Sequence, residues 1–141
     1  MASRHLSVRI ALETFDRLER ESRRLPVTKS ELAKTLLEEG LRMERHPGIM
    51  FRRGAAGRRP ALAGGPDVWE VIRAHKHLDS AVHERIRQTA EIASIREDEV
   101  QTARDYYNEF ASEIDGWIEG VEQREPRIDE SKERKPRILS T

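Results

Sequence analysis

The chain has 141 residues, no cysteine, and 26 basic against 26 acidic side chains. Lack of cysteine excludes disulfides and thiolate metal sites, and the length fits one ordinary domain or two very small ones. Nothing resembles a secretory signal and no apolar run approaches the ~20 residues of a membrane span, so a soluble, cytoplasmic protein without membrane contact is expected. The zero net charge hides a segregation: residues 1–45 carry net +2, 46–66 net +4, 67–123 net −8 and 124–141 net +2. An anionic polymer is attracted to the first half and repelled by the middle.

Leu6, Val8 and Ile10 alternate with His5, Ser7 and Arg9. This period of two marks a half-buried strand. No second strand follows in the next 35 residues, and a lone strand leaves its backbone groups unpaired. The simplest expectation is pairing with the same strand of a second chain. Leu12, Phe15 and Leu18 then give a helical face up to Arg24, and Pro26 ends it. Thr28 and Glu31 have the spacing of a capping box, followed by the apolar stripe Leu32, Ala33, Leu36, Leu37 and Leu41. That stripe predicts a second helix ending near Gly40 to Met43.

Strand, helix and capped helix in this order resemble the ribbon-helix-helix family of CopG, MetJ and Arc repressors. The resemblance covers about residues 1–45. It implies a strand-swapped homodimer whose ribbon enters the DNA major groove. The implied DNA-binding residues are His5, Ser7 and Arg9 on the ribbon, with Thr28, Lys29 and Ser30 offering helix N-terminal N–H groups to a phosphate. An Arg can bind the guanine O6/N7 edge bidentately, and a Ser can serve either base type.

His46-Pro47-Gly48 breaks the helical pattern. Ile49 to Phe51 and Ala61 to Ala63 read as two short strands around a Gly-rich turn carrying Arg52, Arg53, Arg58 and Arg59. Neither a P-loop nor a dinucleotide fingerprint fits the glycine spacing. The four Arg suit phosphates or an acidic partner. Asp67 can cap a helix containing Val68, Trp69, Val71 and Ile72. Further helices are expected over 80–92, 97–108 and 111–121, with both Trp and both Tyr in the core. His75, Asp79 and His83 would share a face only if one helix ran through all three, and a solvated face or a bend is the simpler reading. Glu97, Asp98 and Glu99 suit a helix N-terminus.

The runs around His46-Pro47-Gly48, Gly57 to Pro60, Gly64 to Ile72, Tyr106-Tyr107 and Glu113 to Asp115 are similar to a small helix-turn-helix domain. That domain occurs in bacterial proteins encoded beside PIN-like toxin nucleases. The resemblance implies a VapB-type antitoxin or a close relative. Acidic residues in the would-be recognition helix favour protein contact over DNA there.

The tail repeats Pro126-Arg127-Ile128 as Pro136-Arg137-Ile138. Its charge and prolines predict disorder in isolation. Arg127, Ile128, Arg137 and Ile138 are the candidate toxin-binding residues, an Arg pairing a carboxylate while the Ile anchors it.

The expected fold is mostly helical with short strands: a ribbon-helix-helix dimer over 1–45, a hairpin and trihelical domain over 46–123, and the tail over 124–141. The expected function is antitoxin and autorepressor, with operator DNA and a PIN-like RNase toxin as partners, as a homodimer or higher oligomer. A stand-alone regulator with a ligand- or partner-binding second domain is the alternative. No catalytic residue, metal ligand or cofactor is assigned, and an enzyme is not expected.

Overall fold

In the computed structural model, residues 2–54 and 57–124 are described. They form six helices and one two-stranded antiparallel sheet. The helices are α1 (Leu12–Arg24), α2 (Lys29–Arg45), α3 (Val68–Lys76), α4 (Val82–Ala93), α5 (Glu97–Glu109) and α6 (111–124), and the strands are β1 (Ile49–Gly54) and β2 (Gly57–Leu62). The chain divides into two compact units between Glu44 and Arg45.

In the first unit, residues 2–11 form neither helix nor strand within the single chain. The turn after α1 closes around Pro26, with Leu25 N–H donating to Glu21 O at 3.0 Å and Val27 N–H to Ser22 O at 3.1 Å. These bonds satisfy carbonyls that the helix end leaves open. Thr28 caps α2 as its position predicts, its Oγ1 accepting from Glu31 N–H at 3.1 Å. The Glu31 carboxylate turns to Lys34 at 2.8 Å. α2 runs through Gly40 to Arg45, beyond the end expected from its apolar stripe.

Among the described residues of this unit, Leu32 is the one buried hydrophobic side chain. Val8 is 70% and Leu12 75% exposed, and Leu6, Ile10, Phe15, Val27, Leu36, Leu37, Leu41 and Met43 are exposed as well. Ordering a residue costs roughly 1–2 kcal/mol of backbone entropy, whereas a fully buried Leu returns about 1.5–3 kcal/mol. The unit by itself falls far short of a core.

The second unit has one. Ile49, Leu62, Val68, Val71, Ile72, Val100, Ala103, Tyr106, Ile114 and Ile118 make its centre. α3, α4 and α5 pack on one another, and β2 lies against α3 and α5. Ile49 pairs with Leu62 and Gly54 with Gly57 in the hairpin register. Gly48 at φ +96° and Gly64 at φ +69° make turns that a side chain would strain. α4 stops at Ser94, which takes a left-handed conformation at φ +56°.

Three expectations about this unit need correction. Arg52, Arg53, Arg58 and Arg59 lie in the strands and not in the turn, and β2 ends before Ala63, because backbone pairing runs from Ile49–Leu62 through to Gly54–Gly57. The core is organised on Tyr106 and aliphatic side chains, because Trp69, Trp117 and Tyr107 are only partly buried. Asp67 stands at the N-cap of α3 but makes no side-chain capping bond. Its carboxylate is taken by two stronger donors described below.

Candidate nucleic-acid interface

On the segment read as a ribbon, His5 and Ser7 touch, with Nε2 2.8 Å from Oγ. Side chains two apart in an extended segment point the same way, which is what brings them together. Arg9 is exposed and has no hydrogen-bond or ion-pair partner among the described residues. The apolar alternates Leu6, Val8 and Ile10 are exposed too. Thus both faces of this segment are bare in the single chain.

At the start of α2, the first intrahelical bond runs from Leu32 N–H to Thr28 O at 3.0 Å. The N–H groups of Lys29 and Ser30 precede it and have no helical acceptor. The Thr28 hydroxyl is occupied by Glu31 N–H, so it positions the helix end. The Lys29 ammonium is held within the unit. It lies over the Phe15 ring, 5.1 Å from the centroid, and 3.8 Å from Glu19 Oε1. The same oxygen accepts from Arg23 Nη2 at 2.9 Å. Sequence reading missed Glu19, although its spacing to Arg23 on one helix was a visible signal.

The basic hairpin is largely committed to its own fold. Arg52 donates to Leu62 O at 3.1 Å and to Gly65 O. Arg59 Nε donates to Asp67 Oδ2 at 2.5 Å, and Trp69 Nε1 donates to the same oxygen at 3.1 Å. Arg58 also has a partner, while Arg53 is exposed. Four arginines in sequence therefore do not add up to four open charges.

In the second unit, Glu109 receives Arg45 Nε at 2.6 Å and lies 3.2 Å from His46 Nε2. The Arg45 hydrogen bond holds the Glu109 carboxyl below the usual carboxylate range, with His46 adding to it. His46 sits edge-on to Tyr106, with centroids 5.2 Å apart. Arg45, His46 and Glu109 border an open depression of about 420 Å³ with Pro47, Thr102, Asp105 and Asn108. Asp115 accepts from Lys76 Nζ at 2.7 Å and Tyr107 Oη at 2.8 Å. These bonds depress the carboxyl's pKa, and the Lys76 bond raises the ammonium's.

His75 is buried, with Nδ1 3.3 Å from Thr89 Oγ1. The helical path breaks between Lys76 and Val82, so His75, Asp79 and His83 do not share one continuous helix. Among the described residues no cluster of three His, Asp or Glu side chains is arranged to hold a metal ion. No described helix is long and apolar enough to cross a membrane. Arg127, Ile128, Arg137 and Ile138 lie outside the described residues. The chain has no match among protein families, curated proteins or solved structures.

Proposed function

We propose that the chain is a dimeric ribbon-helix-helix DNA-binding protein, acting as antitoxin and repressor of its own operon. One observation carries the reading: a strand-patterned segment and two amphipathic helices that bury a single Leu among them. An apolar surface of this extent marks an interaction site. A second copy supplies the missing strand and the missing apolar face together. Leu6, Val8 and Ile10 then turn inward, and His5, Ser7 and Arg9 face the major groove. The N–H groups of Lys29 and Ser30 approach the flanking phosphates.

The antitoxin assignment rests on the resemblance around Gly64 to Ile72 and on the two Pro-Arg-Ile repeats. The acidic excess of residues 67–123 suits protein contact better than DNA contact. In this reading the C-terminal half neutralises a PIN-like RNase. The alternative is a stand-alone regulator whose second domain binds a ligand or partner.

The deciding experiment measures binding to the operon's promoter DNA over a range of salt. The wild type is expected to bind with a steep salt dependence, and Arg9→Ala to lose about 1–3 kcal/mol of sequence-specific affinity. Equal affinity of Arg9→Ala would remove the base-reading role. Copurification of a nuclease encoded next to the gene, lost on deleting 124–141, separates the antitoxin from the stand-alone regulator.

A further inference from the structure

We infer that Glu19 is a built-in competitor of the DNA phosphate for Lys29, setting affinity without touching a base. The inference rests on reading residues 2–44 as a DNA-binding unit. Lys29 reaches back from α2 across the turn to α1, where Phe15 lies beneath its ammonium and Glu19 Oε1 lies 3.8 Å away. Arg23 converges on the same oxygen at 2.9 Å. Glu19 is anchored from its backbone side too, because its carbonyl accepts from the buried Ser22 hydroxyl at 2.9 Å. One carboxylate thus occupies two cations close to the helix end assigned to a phosphate.

The chemistry of the exchange sets its direction. A carboxylate and a phosphate oxygen offer an ammonium similar Coulomb attraction at similar distance. Moving Lys29 from Glu19 to a phosphate therefore gains little from the contact itself. The gain comes from the counterions that the phosphate releases, and the loss is a Glu19 carboxylate left with Arg23 alone beside a polyanion. Glu19 subtracts a sequence-independent contribution from every complex alike. Base readout through Arg9 and Ser7 then makes up a larger share of what remains.

The test uses the full chain and a pool of random-sequence duplex DNA, titrated by fluorescence anisotropy at several salt concentrations. Glu19→Gln is expected to bind about two- to fivefold tighter at low salt, the range of one exposed ion pair. Its log–log salt slope is expected to steepen by up to about 0.9 per protomer. Asp16→Asn removes the same charge from the same helix and is expected to change much less. In a Lys29→Met background the effect of Glu19→Gln is expected to vanish. An unchanged or weakened Glu19→Gln would overturn the inference, as would an equal gain from Asp16→Asn or a gain that survives Lys29→Met. Failure of the wild type to bind any DNA would overturn the inference together with the DNA-binding reading. Wild-type binding with no effect of Glu19→Gln removes the inference alone.

Discussion

Asp67 does at the residue scale what no local pattern announces. It occupies a capping position, yet its carboxylate joins the hairpin to the start of α3 through Arg59 and Trp69. Asp67 is 5% exposed, so its truncation leaves a guanidinium and an indole N–H without their acceptor. Asp67→Ala is expected to destabilise the second unit by about 1–3 kcal/mol, read as a lower urea midpoint of Trp fluorescence. His75 gives a second expectation. Burial, and then the charges of Arg85 and Arg104, lower its pKa in the folded protein. The unfolded chain therefore takes up the proton first as pH falls below about 6.5, and stability falls with it. The urea midpoint should therefore begin to drop as pH falls through about 6.5, the ordinary His value, and keep falling below it. His75→Gln should flatten that dependence. An identical slope in the variant would show that other groups carry it.

At the scale of elements, local signals were legible where the physics is local. Pro26 stops α1, Thr28 caps α2, and the first-turn acids Glu97 to Glu99 open α5. That a hairpin forms followed from two apolar runs around glycines, but its extent did not: the strands run on through Arg52, Arg53, Arg58 and Arg59, which the sequence reading puts in the turn. Partners distant in sequence were not legible. The Arg59–Asp67 pair depends on a register that brings the end of β2 beside α3, and composition does not say which aromatic faces inward. α6 shows the cost of an unfilled position. A Cβ at Gly116 or Gly120 would meet nothing within 4 Å. Ala at either site should therefore stabilise the helix by roughly 0.5–1 kcal/mol, the ordinary helical difference between Gly and Ala. Thermal unfolding followed by Trp fluorescence checks it, and a loss of stability would mean that the glycines are needed for packing.

The two units of the whole molecule draw their stability from different sources. The second closes its own core around Tyr106. The first leaves most of its large apolar side chains exposed and depends, in the proposed dimer, on a second chain. Its helices should therefore melt at a temperature that rises with protein concentration. Both Trp and both Tyr belong to residues 45–124, so two probes can be separated. On dilution, helical circular dichroism should fall while Trp fluorescence stays native. Loss of both signals together would show that the units unfold as one.

The bare apolar surface of residues 2–44 also bears on how long the protein lasts. α1 holds Arg17, Arg20, Arg23 and Arg24 within eight residues, each a trypsin-type cleavage point once the helix opens. A protease samples the open form in proportion to its population. Dilution of the proposed dimer raises that population, so scarce protein is cut faster than abundant protein. Cleavage there severs the proposed DNA-binding end and spares the half with its own core, and survival of the intact chain becomes a steep function of its own abundance.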